Sequence, residues 1–116
     1  LVDSIAKKLK VVQAVVDVLA LKNVTVQHTR VEDIKNRKFN YAVSRAVAPL
    51  KDLWKWAKPI LHKKANIPYP NGLICLKGGD LTKEIAETNV KPRLIQVDSL
   101  FTEAYFKEKY LLYIIH

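Results

Sequence analysis

Four places in the sequence combine reactive or charged residues with a change from apolar to polar chain. Asp3 and Ser4 follow Leu1-Val2, and Arg30-Val31-Glu32-Asp33 follows the β-rich stretch Asn23–Thr29. Arg45 follows the apolar run Tyr41–Val43, and Lys77 with Gly78 and Gly79 closes Gly72–Leu76. In open α/β sheets ligands bind beyond the carboxyl ends of the strands, so these junctions are where chemistry is expected. An acid at such an end, Asp3, suits the two hydroxyls of a ribose; it equally suits a helix N-terminus, whose dipole favours a negative charge. Residues 30–33 offer backbone amides and carboxylates to an adenine edge, or form a solvated acidic loop. Arg45 lies among Ser44, Ala46, Val47 and Ala48, so its guanidinium is expected to be partly buried against an anion or carbonyl. That partner is either a ligand or a structural ion pair. Gly78 and Gly79 let backbone approach a ligand closely or make a plain turn. Neither glycine-rich phosphate-loop pattern occurs in the chain. His28, His62 and His116 are scattered and Cys75 is the only cysteine, so no zinc-type ligand set forms.

The elements that must position these residues follow from periodicity. Ser4 is expected to cap a helix running to about Ala20, with Ile5, Leu9, Val12, Val16 and Leu19 as its apolar stripe. Asn23–Thr29 and Phe39–Ser44 read as strands, separated by a polar loop. Pro49 suits the first turn of a second helix carrying Leu50, Leu53, Trp54, Ala57, Ile60 and Leu61, and Pro59 kinks or ends it. Ala65–Asn71 reads as a loop, and Gly72–Lys77 as a buried strand. Asp80 can cap a short helix to about Thr88. Arg93–Val97 and Tyr110–Ile115 are expected to pair antiparallel at the end of the sheet. Uninterrupted apolar strands alternating with helices give an α/β fold with a mostly parallel sheet and an antiparallel C-terminal strand.

Hydrophobic residues make up 49% of the 116-residue chain and charged residues 27%, a globular balance for one domain. No apolar run is long enough to cross a bilayer. A lone cysteine excludes a disulfide framework, which makes the cytoplasm the expected compartment. The net charge of +9 is carried entirely by residues 1–64, which hold 14 Lys/Arg against 5 Asp/Glu; residues 65–116 hold 6 of each. A basic half is either a nucleic-acid face or a solvated lysine-rich surface. Lys7, Lys8 and Lys10 cluster at the start of the first helix, where the dipole disfavours cations, and so point to an anionic partner. Lys51 and Lys55 flank Trp54 and Trp56. Trp54 falls on the apolar stripe; Trp56 lies roughly opposite, where it either stacks on an RNA base or covers a neighbouring helix. The sequence contains no methionine and opens on what reads as the end of a strand, so a piece of a longer chain is expected.

Ser44-Arg45-Ala46-Val47-Ala48-Pro49-Leu50, with Leu1-Val2-Asp3-Ser4-Ile5-Ala6-Lys7-Lys8, Arg30-Val31-Glu32-Asp33 and Leu76-Lys77-Gly78, resembles the glucose-inhibited division protein B family over nearly the whole chain. The resemblance implies a class I (Rossmann-like) methyltransferase that uses S-adenosyl-L-methionine to methylate a guanine N7 in 16S ribosomal RNA. It implies Asp3 and Ser4 at the cofactor ribose, Val31 and Glu32 beside the adenine, Arg45 completing the site, and Lys77 as a candidate catalytic-face residue. Lys7, Lys8, Lys10, Lys51, Lys55 and Trp56 become candidate contacts to ribosomal RNA or the small subunit. Against the family pattern, residues 1–116 read as a truncated domain without the N-terminal helices, first strand and glycine-rich loop, and the fragment is expected to be inactive alone. The strands flanking that gap are expected either to pair directly or to leave edges that drive self-association. The competing reading is a non-enzymatic RNA-binding or ribosome-associated module.

Overall fold

Short strands alternate with helices in the computed structural model, which describes residues 1–45, 48–63 and 68–116 and divides into two units, Leu1–Asn36 and Arg37–His116. Ala46 and Val47 of the arginine motif, and residues 64–67, which include the first three positions of the expected loop, lie outside the described residues.

In the first unit, β1 (Val2–Asp3) pairs in parallel with β2 (Gln27–His28), with Asp3 opposite His28. The Gln27 N–H donates to the Leu1 carbonyl at 2.9 Å and the Thr29 N–H to the Asp3 carbonyl at 3.1 Å. The strand expected over Asn23–Thr29 therefore narrows to two residues. Helix α1 spans Ala6–Val18. Its cap is not Ser4: Ile5 is the N-cap residue, and the Asp3 carboxylate accepts the Ile5 N–H at 2.8 Å. An aspartate bonding its own chain two residues on makes a local turn that a serine one position later cannot duplicate. The helix ends on a left-handed Ala20 (φ 52°), with the Leu21 N–H returning to the Val16 carbonyl at 3.0 Å. Of the expected stripe only Leu9 and Val16 are buried; Ile5 and Leu19 are exposed.

The second unit is built on a four-stranded sheet in the order β3-β4-β6-β5: β3 Tyr41–Arg45, β4 Gly72–Gly78, β5 Arg93–Gln96 and β6 Lys109–Ile115. β3 and β4 are parallel, and β6 runs antiparallel to both β4 and β5. The antiparallel pair expected at the end of the sheet is thus present, with β5 as the edge strand and β6 beside β4. β1 has β2 as its ladder partner and β3 has β4, so the direct pairing expected of the strands flanking the gap is not among the ladders of the described residues. Leu73 and Cys75 of β4 stand opposite Ile114 and Leu112 of β6, and all four are buried on one face of the sheet.

That face is covered by α2 (Leu50–Ala57) through Leu50, Leu53 and Ala57. Pro49 is its N-cap residue, one position ahead of the expected first turn, and the helix passes at Ala57 into a 3₁₀ turn, Lys58–Ile60, that contains Pro59. A proline has no N–H to continue the ladder. Helix α3 (Thr82–Ala86) is shorter than expected; the Asp80 carboxylate accepts both the N–H and the hydroxyl of Thr82, at 3.0 and 2.7 Å. At the start of β4 the buried Asn71 gives an amide bond to the His62 carbonyl and accepts one from Asn40, both at 3.2 Å. Its backbone carbonyl takes the His116 N–H at 3.0 Å, which fixes the chain terminus beside β4.

Candidate functional site

The first unit brings two of the expected cofactor groups to one end of a parallel pair. Asp3 closes β1, and the 3₁₀ turn Val31–Asp33 begins three residues beyond β2. Parallel strands deliver their following loops to the same edge. One Asp3 oxygen is used by the Ile5 N–H, which leaves the other carboxylate oxygen with no partner among the described residues. The leading N–H groups of a helical turn, here Val31 and Glu32, have no acceptor within it. A half-exposed carboxylate and two backbone amides without an acceptor among the described residues are groups able to meet a ribose and an adenine edge. Ser4 contributes through its backbone: His28 Nε2–H donates to the Ser4 carbonyl at 3.0 Å and ties the loop after β1 to the strand beside it.

Arg45 belongs to the second unit and differs from its expectation. It is exposed rather than partly buried, and no carboxylate pairs with it among the described residues. The cause is strand periodicity. Side chains of β3 alternate, and Arg45 shares its face with Tyr41 and Val43, both exposed, while Ala42 and Ser44 turn toward the other side.

Lys77 is the residue that is enclosed. Its side chain is 9% exposed, and Nζ lies 2.5 Å from Glu84 Oε1 of α3 and donates to the Ala48 carbonyl at 2.7 Å. The same Glu84 oxygen accepts the Leu50 N–H at 2.7 Å, satisfying an orphan donor at the start of α2. Lys77 and Glu84 together therefore grip the Ala48–Leu50 end of the arginine-bearing segment from both sides of Pro49. Glu84 was missed in sequence. It sits mid-helix among Lys83, Ile85 and Glu87, and only the tertiary packing of α3 on α2 reveals its role. Beside this pair, Cys75 is fully buried, and burial raises its thiol to about 11. Lys77 pulls in the opposite direction and Glu84 adds to the rise.

The candidate RNA contacts fall in both units. Lys7, Lys8 and Lys10 are exposed on α1, with Lys7 and Lys8 in its acid-free first turn. Lys51 and Lys55, one helical turn apart, are exposed on α2. Trp56 is not the exposed stacking platform that one reading of the sequence allowed: it is half-buried and packs against the core, so it covers apolar surface. Trp54 is also only half-buried, and its ring meets His116 edge to face at 5.7 Å.

With that geometry in place, comparison with known proteins is informative. The family described as rRNA small subunit methyltransferase G (GidB) matches residues 1–112. Among curated proteins, the ribosomal RNA small subunit methyltransferase G of Phocaeicola vulgatus is 46% identical over 114 residues, which is 98% of this chain and 54% of that protein. The like-named proteins of Bacteroides fragilis and Porphyromonas gingivalis are 42% and 44% identical, each over 98% of this chain and 55% and 52% of their own length. The chain spans about half the length of the curated relatives it matches. A match across nearly every residue, including all four strand-end junctions, places the chain in the GidB family of small-subunit rRNA methyltransferases.

Proposed function

We propose that this chain is part of an enzyme that transfers a methyl group from S-adenosyl-L-methionine to a guanine N7 of 16S ribosomal RNA in the cytoplasm. The observation that carries this reading is the family match over residues 1–112, and it is supported by the general rule that open α/β sheets bind ligands beyond the carboxyl ends of their strands. No helix among the described residues is long and apolar enough to cross a membrane.

In this reading, which follows the family resemblance, Asp3 accepts the ribose hydroxyls, the Val31 and Glu32 amides meet the adenine, and Arg45 is a further cofactor-binding residue. The cofactor, when bound, supplies an electrophilic methyl group. Guanine N7 carries a lone pair and no proton, so the protein needs no general base; its task is to hold the nitrogen in line with the methyl carbon. Lys77 then acts as a positioning residue, since its ammonium is committed to Glu84 and Ala48. Residues 1–116 contain no glycine-rich phosphate-loop pattern, and in this reading that part of the cofactor pocket comes from the half of the relatives' length that the chain does not span. Strands β3 and β5 are edges of their sheet, and unpaired edges of this kind lead copies of the chain to associate.

Calorimetric titration with S-adenosylhomocysteine tests the reading. The full-length product should bind at micromolar concentration, Arg45→Ala should weaken binding at least tenfold, and this chain alone should bind far more weakly. Micromolar affinity in the chain alone would refute the assignment of half the pocket to the other segment.

A further inference from the structure

The second unit contains a cavity of about 250 Å³ at the carboxyl ends of β3 and β4. Arg45 lies on its rim, Leu76 and Val97 supply apolar surface, and Tyr105, Phe106 and Lys109 close it from the segment entering β6. Three basic residues and no acidic one line it. Lys77 is neutralised by Glu84, which leaves the charges of Arg45 and Lys109 without an anionic partner among the described residues. Two uncompensated cations at one concave site favour an anionic ligand.

The same cavity has an aromatic wall. Tyr105 is 66% exposed, and its ring and that of Phe101 each lie 5.3 Å from Phe106. Lys109 Nζ sits 5.5 Å from the Tyr105 ring centre, a cation–π distance that holds the lysine along the wall. Gly78 leaves room along that course: a Cβ there would stand 3.1 Å from Lys109 Nζ and 3.2 Å from its Cδ, so the lysine would have to shift slightly. An exposed ring backed by other rings is a stacking platform, and phosphate-binding cations beside such a platform are the pattern by which proteins hold unstacked RNA bases. The volume falls just below the roughly 300–1,000 Å³ of sites for drug-sized ligands, so it suits one ring system rather than a run of bases.

We propose that this cavity receives one unstacked nucleotide of the RNA substrate, its base against Tyr105 and its phosphate between Arg45 and Lys109. The identification of the ligand as substrate RNA rests on the methyltransferase reading; the nucleotide chemistry of the site does not. Two-dimensional ¹H–¹⁵N NMR of this chain, titrated with guanosine 5′-monophosphate and separately with ribose 5-phosphate, tests it. Shifts should concentrate at Arg45, Leu76–Gly78 and Tyr105–Lys109. Tyr105→Ala should weaken the nucleotide about fivefold to a hundredfold, the range for loss of one base–aromatic stack, and weaken ribose 5-phosphate much less, since that ligand loses only the contact that steadies Lys109. Arg45→Gln should weaken both ligands. Tyr105 is a surface residue, so unchanged resonances of the buried Leu73, Cys75, Leu112 and Ile114 will verify that the variant remains folded. Shifts confined to the α1 lysines, or equal affinity of wild type and Tyr105→Ala for the nucleotide, would overturn the proposal. In the full-length product, Tyr105→Ala should raise the KM for RNA with S-adenosylhomocysteine affinity unchanged. Nucleotide binding at these residues without any methyl transfer by the wild-type product would uphold the cavity and refute only the methyltransferase reading.

Discussion

Replacing Glu84 with alanine removes two contacts from one oxygen: the Lys77 ammonium at 2.5 Å and the Leu50 N–H at 2.7 Å. Hydrogen bonds to charged groups contribute about 1.5–3 kcal/mol each, and breaking a buried ion pair from one side costs about 3–5 kcal/mol. Lys77 and Glu84 are 9% and 23% exposed, so water reaches the pair from the glutamate side. The lysine also keeps its bond to the Ala48 carbonyl in the variant. Those two facts place the expected loss near the low end, about 3 kcal/mol. For a cooperative unit of this size that is a drop in Tm of roughly 10–20 °C. Glu84→Gln, which retains an acceptor for Leu50, should lose about half as much. The assay is urea and thermal unfolding of wild type, Glu84→Ala, Lys77→Met and the double variant. The double variant should be more stable than the summed single losses imply, by at least about 1 kcal/mol, because neither partner is then left unmatched. A Glu84→Ala cost below about 0.5 kcal/mol would mean that the pair behaves as an exposed one. Losses additive within about 0.5 kcal/mol would mean that the two residues do not act together. Either result refutes the description of them as one clamp on the segment that carries Arg45.

Three further outcomes follow from local geometry. Gly72→Ala should destabilise by about 3 kcal/mol or more in urea unfolding, at or above the usual range for overpacking, because a Cβ would stand 2.2 Å from the Ile114 carbonyl oxygen across the ladder; a normal urea midpoint would contradict the β4–β6 register. Cys75, fully buried and raised to about 11, should resist a thiol reagent at pH 8 until the chain unfolds, so rapid modification of the native protein would show that the core is open. Burial, then Lys58, Lys63 and Lys38, lower the His116 pKa below its ordinary 6.5. The folded chain therefore takes up that proton less readily than the unfolded one; His116 contributes stability above the unfolded value and loses it as pH falls through the folded value. An NMR titration of the imidazole should give a midpoint below 6.5, and a midpoint above it would remove the lysines from its surroundings.

How far the sequence reveals this molecule depends on the range of the interaction concerned. Apolar runs place β3, β4 and β6 within a residue or two, and the 3.6-residue stripe identifies Leu50, Leu53 and Ala57 as the buried face of α2. Local patterns cannot give strand order, so the insertion of β6 between β4 and β5 was not foreseen. Arg45 was placed correctly at a strand end but with the wrong burial, because its flanking small residues say nothing of which sheet face lacks a cover. Ser4 is expected as the cap from its residue type alone, whereas backbone geometry gives the bond to the Ile5 N–H to the Asp3 carboxylate. Glu84 and the Tyr105–Phe106 wall were invisible for one reason: each acquires meaning only from residues far along the chain. The Lys77–Ala48 bond spans 29 positions and the Glu84–Leu50 bond spans 34.

The central claim is that the enzyme to which these residues belong methylates a guanine of small-subunit RNA. Its most direct test incubates the full-length product with S-adenosylmethionine and either naked 16S RNA or assembled small subunits lacking the modification, then digests the RNA to nucleosides for mass spectrometry. The account predicts 7-methylguanosine on at least one of the two substrates, with the yield falling at least tenfold for Arg45→Ala. No methylated guanosine on either substrate, from a product that binds S-adenosylhomocysteine, would contradict it.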